Sequence, residues 1–538
     1  MAAVADTPST LFPGNRSAMI HTSQTVQFLV RSALRRHGDK TALVAGGRSY
    51  SYRDLDRLSG TLAAGLAARG LKRGDRLAIL LRNCAEYALV DLAILKLGAV
   101  KVPLNEMLSR SDVSYMLAHS GARMLVVHGS LTDKLDAAAL AETCLNCQVE
   151  VDDLGAGPGA GREPWAALFA GGDRDCEWRE VLPEDPALIM YTGGTTGRSK
   201  GVLHRHRGLA VNSLAHIVNG EIAETEKLLL TTPLPHSSGF FLQAAFLQGA
   251  CVHLQDKFDP EQVLATIGRE RITWTFMVPT MIYRVLDAHD PARHDLTSLR
   301  TLVYGAAPIT RARLQEVIAK FGPVLLQLFG QTEVPNFATK LSKADHLEER
   351  FLGSCGQPVI TADIRIGDAV GRPLAAGEVG EILVRSPYTL EGYYEDPQKS
   401  AEVYVGEWIR TGDVGYQLDT GHLFIVDRAK DMIISGGMNV YSSEVENRIQ
   451  EYPGVRQVMV IGIPHEDWGE AVCAAVVPAD PGRFDSQALI AFCKERLAAY
   501  KVPKVVEVVA EIPLTAYGKP DKKALRAKYW GGQTRQIH

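Results

Sequence analysis

Residues 191–201, Tyr-Thr-Gly-Gly-Thr-Thr-Gly-Arg-Ser-Lys-Gly, are the stretch of the sequence best suited to bind a phosphate. Glycines let backbone N–H groups approach phosphate oxygens without side-chain obstruction, and hydroxyls and an ammonium add further donors. The spacing is not that of a Walker P-loop, so a flexible Gly/Thr turn is the alternative interpretation. We expect a phosphate-binding loop whose contacts are Thr192, Gly193, Gly194, Thr195, Thr196, Gly197 and Lys200.

Five further motifs follow this loop along the chain. They are TLVYGAAP (301–308), LFGQTE (328–333), RTGDVG (410–415), DRAKDMIISGGMNVYSSEVE (427–446) and PLTAYGK (513–519). In type and order, the six segments resemble the signatures of the adenylate-forming superfamily, which includes acyl- and aryl-CoA ligases, adenylation domains of peptide synthetases, and luciferases. Residues 50–59 and 91–105 also resemble this family, so the resemblance covers nearly the whole chain.

The resemblance implies a two-step reaction. A carboxylic acid attacks the α-phosphorus of ATP, pyrophosphate leaves, and the acyl group of the acyl-adenylate then passes to the thiol of CoA. It also implies that Lys519 is the cation between the carboxylate and the α-phosphate, because charge that develops on oxygen needs a fixed positive partner. A surface lysine is the alternative. Ser199, Tyr517 and Pro520 depart from the usual motifs, and Pro520 restricts Lys519 to extended backbone.

The same resemblance implies the nucleotide contacts. Glu333 is expected to bind Mg²⁺, because a hard cation prefers carboxylate and phosphate oxygens, and the Thr332 hydroxyl is expected to contact the α-phosphate. A helix cap formed by these two residues is the alternative. Asp413 is expected to accept hydrogen bonds from both ribose hydroxyls, with Arg428 as a second contact. The Phe329 ring is expected to lie against adenine. The remaining expected nucleotide contacts, Phe329 included, are Gly305, Ala306, Ala307, Phe329, Gly330 and Gln331.

His236, in PLPHSSGFF, is implied at the entrance of the acid site, where a neutral imidazole can orient a carboxylate. A structural histidine is the alternative. The bulky apolar residues that follow it favour an apolar acid, aliphatic or aromatic, whose identity the sequence does not reveal. The residues predicted to line the acid pocket are Ser237, Ser238, Phe240, Phe241, Tyr304, Pro335, Asn336 and Phe337. The alternative interpretation is that the aromatic residues among them belong to the hydrophobic core.

Lys430 stands where the family has a hinge. One rigid site cannot hold Lys519 over the nucleotide and also admit a pantetheine arm, so the two steps require rotation of a small domain. After rotation, Gly436 and Gly437 would let the pantetheine pass close to the backbone, although a structural turn is the alternative. We therefore predict a large domain over residues 1–428 and a small mobile domain over residues 429–538.

The elements that must position these residues are visible as apolar runs. They occur at 76–81, 124–129, 187–192, 227–234, 273–279, 301–307 and 325–330. Continuous apolar runs are typical of strands covered on both faces, as in parallel sheets flanked by helices. Intervening segments 84–98 and 111–121 have helical spacing and end at Gly98 and Gly121. The fold class is therefore α/β, a large multi-layer domain of mostly parallel sheets followed by a small α+β domain.

Composition excludes several classes of protein. The 538 residues are 46% hydrophobic and 22% charged, so we expect a globular chain. The 58 basic and 62 acidic residues leave a net charge of −4, so we expect no binding of nucleic acid. We expect no membrane span and no secretion signal. Eight scattered cysteines predict free thiols in the cytoplasm, with Cys144 and Cys147 as a weak candidate metal or redox pair. A monomer and a homodimer are both compatible.

Three functions remain compatible with these motifs. The first is an AMP-forming acid–CoA ligase, and the second is a stand-alone adenylation enzyme that loads the phosphopantetheine of an acyl-carrier protein. The third is a nucleotide-binding protein that kept the fold without catalysis. The joint presence of Thr332, Glu333, Asp413 and Lys519 favours an enzyme.

Overall fold

The computed structural model describes residues 24–152, 157–172, 176–192, 199–307, 309–428, 430–514 and 520–531. No helix within these ranges combines the length and the apolar character that crossing a bilayer requires.

The first part of the chain alternates strands and helices. Its strands are β1 (Thr41–Ala45), β2 (Arg48–Ser51), β3 (Arg76–Leu80), β4 (Val100–Pro103), β5 (Met124–His128), β6 (Cys147–Val151), β7 (Glu163–Pro164), β8 (Pro186–Tyr191), β9 (Gly201–Arg205), β10 (Lys227–Leu230), β11 (Cys251–Leu254), β12 (Trp274–Met277), β13 (Thr301–Tyr304), β14 (Leu325–Gln331), β15 (Val334–Leu341) and β16 (Gln357–Pro358). Its helices are α1 (Val26–His37), α2 (Tyr52–Ala68), α3 (Ala85–Leu97), α4 (Arg110–Ser120), α5 (Ala137–Ala141), α6 (His206–Asn219), α7 (Gly239–Gln248), α8 (Pro260–Glu270), α9 (Pro279–Ala288) and α10 (Arg311–Phe321).

A mostly antiparallel region comes next, and a separate unit ends the chain. The region contains β17 (Asp363–Gly367), β18 (Gly380–Arg385), β19 (Gly392–Tyr393), α11 (Pro397–Val403), β20 (Tyr404–Val405), β21 (Trp408–Gln417) and β22 (Leu423–Arg428). The last unit contains β23 (Ile433–Ser435), β24 (Met438–Val440), α12 (Ser442–Gln450), β25 (Val455–His465), β26 (Gly469–Pro478), α13 (Ser486–Lys494), β27 (Val505–Val508) and α14 (Lys522–Trp530).

Within the described residues these strands form four sheets. The largest has the order β16-β15-β14-β13-β12-β10-β11-β1-β2, and the second has the order β19-β9-β8-β4-β3-β5-β6-β7. Their central pairs are parallel, for example β12 with β13 and β3 with β5. A third sheet has the order β17-β18-β21-β20 with β22 beside β21, and the small sheet has the order β24-β23-β26-β25 with β27 beside β26. The predicted fold class is confirmed.

Helix α3 lies between the two large sheets. It is apolar on all sides, and nearly every residue from Ala85 to Leu97 is buried, as expected for a helix that is covered all round. Gly98 and Gly121 adopt left-handed φ values of 63° and 59° at the ends of α3 and α4, so both predicted helix ends are confirmed. The core that surrounds α3 holds side chains from both large sheets, such as Ile79 of β3 and Val303 of β13.

His206, the first residue of α6, is fully buried, and neither of its ring nitrogens has a hydrogen-bond partner among the described residues. Burial lowers its pKa from 6.5 to about 4. As the pH falls, the unfolded chain therefore takes up the proton before the folded chain does. The stability that the protein has with His206 buried and neutral is therefore complete above pH 6.5. It is lost progressively as the pH falls towards 4.

We predict that His206→Leu makes the protein less sensitive to acid. Between pH 8 and pH 5 the wild-type protein should lose about 2 kcal/mol more unfolding free energy than the variant, because only the wild type has this histidine to protonate on unfolding. Denaturant unfolding of both proteins at the two pH values measures the difference. An identical pH dependence in the two proteins would contradict the prediction.

Candidate functional site

Two parts of the predicted site lie outside the described residues. They are the middle of the Gly/Thr loop, with Gly193, Gly194, Thr195, Thr196 and Gly197, and Lys519 near the chain's end. The other predicted residues are all placed by the structure, and most of them lie at the ends of strands.

The two ends of the Gly/Thr loop are joined, because the Thr192 N–H donates to the Lys200 carbonyl over 3.0 Å. Lys200 Nζ lies 3.9 Å from the centroid of the Tyr393 ring, and the Tyr393 hydroxyl donates to Glu333 Oε1 over 2.9 Å. Burial lowers the pKa of the Lys200 ammonium, and the negative charge of Glu333 partly opposes that shift. The base of the loop therefore lies beside the predicted metal-binding carboxylate.

Thr332 and Glu333 occupy the tight turn between β14 and β15, where Gln331 pairs with Val334. The alternative that they open a helix is therefore wrong. His204 Nε2 lies 2.9 Å from the Thr332 carbonyl oxygen, and because a carbonyl only accepts, this nitrogen carries the proton. Burial lowers the pKa of His204 to about 4, so a neutral imidazole holds the turn at neutral pH.

Asp413 is almost completely buried and connects two motifs that are far apart in sequence. Gln331 Nε2 donates to Asp413 Oδ2 over 2.7 Å, and to the Thr411 carbonyl over 2.9 Å. Arg428 Nε lies 3.3 Å from the other carboxylate oxygen, from the neighbouring strand β22. The structure therefore brings together the predicted ribose ligand, its predicted arginine partner and the turn that bears Glu333.

The backbone next to this turn is close-packed. A Cβ on Gly305 would lie 2.6 Å from the Leu328 carbonyl oxygen, and one on Gly330 would lie 2.6 Å from the Asn336 carbonyl oxygen, so neither position admits a side chain. Ala306 adopts a left-handed φ of 69° and is exposed, with Ala307 half-buried next to it. Phe329 is only 8% exposed. Contact of these residues with adenine stays a prediction.

His236 lies in a five-residue π-helical turn, Leu234–Ser238, in which its own backbone is not helical. Asn83, from the end of β3, holds this turn. Its amide oxygen accepts from the Leu234 N–H over 3.0 Å, and its amide nitrogen donates to the Thr232 carbonyl over 3.0 Å. Asn83 is 7% exposed, so these bonds are shielded from water.

A directed chain of hydrogen bonds supports the turn from its other side. Ser237 Oγ donates to Asn336 Oδ1 over 2.8 Å, and Asn336 Nδ2 donates to His216 Nε2 over 2.9 Å. His216 Nδ1 then donates to the Asn212 carbonyl over 2.7 Å. Burial lowers the pKa of His216 to about 4, so the ring stays neutral with its proton on Nδ1. Asn336 has a left-handed φ of 62°.

Three phenylalanine rings surround His216. Phe240 stacks on its imidazole with a centroid separation of 5.6 Å, and Phe241 and Phe337 meet it edge to face at 5.1 Å. Phe240 is half-buried, as are His236 and Ser237, whereas Phe241, Phe337, Pro335 and Ser238 are buried. The structure therefore unites most of the predicted acid-pocket residues around one histidine.

Tyr304 does not join this group, and the prediction that it lines the same pocket is wrong. Alternate residues of a strand face opposite sides of a sheet. Val303 therefore packs with the core that contains Phe241 and Phe337, and Tyr304 packs on the other side of the sheet. The Tyr304 ring is fully buried, and its hydroxyl lies 2.9 Å from His346 Nε2.

The predicted hinge follows β22. Burial, aided by the charge of Arg428, lowers the pKa of Lys430 to about 8, although Asp431 and Asp413 oppose that shift. Gly436 and Gly437 form the exposed turn between β23 and β24, with φ values of 59° and 77°. Both glycines face solvent in this structure.

Sequence reasoning missed four residues of the site: Asn83, His204, His216 and Tyr393. Asn83, His204 and His216 are polar residues in or next to apolar runs, and all four residues meet their partners only in the folded chain. A buried polar residue needs a hydrogen-bond partner, and that need is the only signal the sequence offers for them.

Three comparisons with known proteins show which family the chain resembles. The family model described as "AMP-binding enzyme" matches residues 30–394, and the one described as "AMP-binding enzyme C-terminal domain" matches residues 444–519. The chain is 37% identical to the medium/long-chain-fatty-acid–CoA ligase FadD8 of Mycobacterium tuberculosis over 95% of this chain and 91% of that protein. It is 39% identical to the feruloyl-CoA synthase of Amycolatopsis sp over 91% and 96%.

Among solved structures, the amide bond synthetase McbA from Marinactinospora thermotolerans superposes with a TM-score of 0.85 at 32% identity. The superposition covers 94% of this chain and 99% of that one.

We predict that Asn336→Ala destabilises the protein by about 2–4 kcal/mol, because it leaves the Ser237 hydroxyl and His216 Nε2 unpaired and because alanine tolerates a left-handed φ less well than asparagine does. Asn336→Gly is the matched control. It removes the same side chain but tolerates the backbone, so it should be about 1 kcal/mol more stable than the alanine variant. Denaturant unfolding of the three proteins measures both effects. Equal stability of all three proteins would rule out a structural role for this chain of hydrogen bonds.

Proposed function

Since this chain belongs to the AMP-binding enzyme family and is an AMP-forming acid–CoA ligase, we propose that it activates an apolar acid, aliphatic or aromatic, held against the rings around His216. The resemblance found in the sequence motifs is thereby confirmed. The observation that carries the proposal is the convergence of motifs at the turn after β14, where Gln331 contacts Asp413 and Glu333 contacts Tyr393 beside Lys200.

In the proposed first step, the acid carboxylate attacks the α-phosphorus of ATP, and the bond to pyrophosphate breaks. Asp413 accepts hydrogen bonds from the ribose, Arg428 adds a second contact, and the Thr332 hydroxyl donates to the α-phosphate. Lys519 brings the positive charge that offsets repulsion between carboxylate and phosphate. In the second step, the CoA thiol attacks the acyl carbon and AMP leaves.

Glu333 is the proposed ligand of Mg²⁺. Its Oε1 already accepts a hydrogen bond from Tyr393, and its other oxygen can bind a hard cation together with the nucleotide phosphates. When bound, Mg²⁺ would offset negative charge on the phosphate oxygens. Lys200, beside the Tyr393 ring, is the proposed second cation for the phosphates.

The apolar acid is supported by the chemistry of the pocket. The polar groups of Ser237, Asn336 and His216 pair with one another, so they do not require a polar partner on the acid. His216 is neutral at neutral pH, and the half-buried Phe240 ring stacked on it offers apolar contact area. His236, half-buried on the turn next to Ser237, is proposed to orient the acid carboxylate.

The two steps are proposed to use two domains, residues 1–428 and 429–538, that rotate about Lys430. The third sheet ends at Arg428 and the small sheet begins at Ile433, and this separation of the two sheets supports the proposed boundary. Gly436 and Gly437 face solvent here and would approach the pantetheine only after rotation.

The proposed compartment is the cytoplasm, because the eight cysteines are free thiols, as is usual in a reducing environment.

We expect acid-dependent exchange of pyrophosphate into ATP, faster with medium-chain, long-chain or aromatic acids than with amino acids, because the pocket offers rings rather than charges. Product formation with CoA should exceed that with a phosphopantetheinylated carrier protein. Exchange assays with a panel of acids, followed by thioester assays with both acceptors, measure these rates. A protein that binds ATP but shows no acid-dependent exchange would be a nucleotide-binding protein without this activity.

We predict that Lys519→Ala slows adenylate formation by about a hundredfold or more, since loss of one such stabilising group costs that much. Thioester formation from supplied acyl-adenylate should stay near the wild-type rate, because the lysine acts on the phosphate chemistry alone. Lys523→Ala is the control for loss of a nearby positive charge. Equal loss of both steps would refute the domain-rotation mechanism.

A further inference from the structure

A cluster of charged side chains lies where the third sheet meets the small unit, outside the reacting residues. This hinge cluster consists of Asp427, Asp431, Glu446, Lys522 and Arg526. Asp427 belongs to β22 of the large domain, whereas the other four follow the predicted hinge in the chain. The cluster therefore spans the hinge.

Lys522, the first residue of α14, has the most partners in this cluster. Its ammonium lies 3.0 Å from Glu446 Oε1 and donates to the Ser442 hydroxyl, and 17% of its side chain is exposed. Burial would lower its pKa, but the negative charges of Glu446, Asp427 and Asp431 outweigh that effect and raise it. Lys522 is therefore a stable cation among three carboxylates.

Asp427 connects this cluster to the large domain. Its Oδ2 accepts from the Ser442 N–H over 2.6 Å and from the Ser442 hydroxyl over 2.8 Å, at the N-terminus of α12. A carboxylate in this position satisfies an unpaired N–H group and interacts favourably with the helix dipole. The large domain therefore caps a helix of the small domain, and the same residue, Ser442, contacts Lys522.

Helix α14 is fixed at both its N-terminus and its side. Asp521 caps it by accepting from the Ala524 N–H over 3.0 Å, and the Asp521 N–H donates to the Pro513 carbonyl over 2.7 Å. Arg526 Nη1 lies 2.8 Å from Asp431 Oδ1. Pro520, directly after Lys519, pairs with Leu514. The chain on either side of residues 515–519 is thus held close to the hinge.

We propose that Lys522 is a positioning residue for adenylate formation, because it ties the start of α14 to Glu446 and to the Asp427–Ser442 contact across the hinge. This inference rests on the proposed function, in which Lys519 acts in the first step. When the small domain rotates about Lys430, Asp427 remains with β22 and Glu446 moves with Lys522. In this proposal the Asp427–Ser442 contact is made in the pose for adenylate formation, so the loss of Lys522 is expected to affect that half-reaction alone.

The test compares three variants, Lys522→Met, Lys522→Arg and Lys523→Met. Methionine keeps most of the apolar stem and removes the charge, arginine restores the charge, and Lys523 is an exposed neighbour on the same helix. Pyrophosphate exchange measures adenylate formation, and conversion of supplied acyl-adenylate with CoA measures the second step. The wild-type enzyme is measured in both assays. If the proposed ligase activity is absent, the wild type itself shows no activity, and this outcome is distinct from an effect of Lys522.

We expect Lys522→Met to slow exchange by about tenfold to about a hundredfold, since a misplacement of ~1 Å costs a rate factor of that order. Its thioester step should stay within about twofold of the wild type, Lys522→Arg should recover most of the exchange rate, and Lys523→Met should match the wild type. Equal loss of both steps in Lys522→Met, or no loss of exchange, would overturn the proposal.

The methionine variant leaves three carboxylates with less compensating charge, which can destabilise the small domain. The double variant Glu446→Gln/Lys522→Met removes the ion pair as a whole and serves as a second test. It should unfold close to the wild-type midpoint and still show the selective loss of exchange. If it recovers exchange together with stability, the role of Lys522 is structural and the proposal fails.

Discussion

The amide of Gln331 lies 2.7 Å from the carboxylate of Asp413, and this contact joins a strand of the largest sheet to a strand of the third sheet. The two residues are 82 positions apart in the sequence, and the hydrogen bond brings them together. Because Asp413 is almost completely buried, an unpaired carboxylate there would be costly. The turn that bears Thr332 and Glu333 and the strand pair that bears Arg428 are held in one place by that requirement.

Neutral histidines give the site its rigidity. His204 and His216 are buried with pKa values of about 4, so each keeps one ring N–H as donor at neutral pH. One holds the Thr332 carbonyl, and the other ends the chain of hydrogen bonds that starts at Ser237. A charged ring in either position would bring a charge into a buried environment, and in His216 the second N–H would face the Asn336 amide donor instead of an acceptor. The polar groups nearest the proposed acid site are therefore fixed before any substrate binds.

Among the described residues, polar contacts join the proposed small domain to the strand that precedes it. Asp427 reaches across the hinge to the N-terminus of α12, and Lys522 lies behind that contact. Contacts of this kind can be exchanged when a domain rotates, because both partners can be hydrated or can find new charges. An apolar interface at the same place would resist rotation more strongly, since its separation would expose that surface to water.

The sequence by itself determined seven strands from their apolar runs, the helix ends at Gly98 and Gly121, the order of the motifs and, through their family resemblance, the class of reaction, because periodicity and short motifs are local properties. Tertiary structure decided the rest. It placed Tyr304 on the other face of its sheet from Phe241 and Phe337, and it paired Ser237 with Asn336, 99 positions away. Such pairings depend on how separate strands stack and on which buried polar group needs a partner, and neither is encoded in a short run of residues.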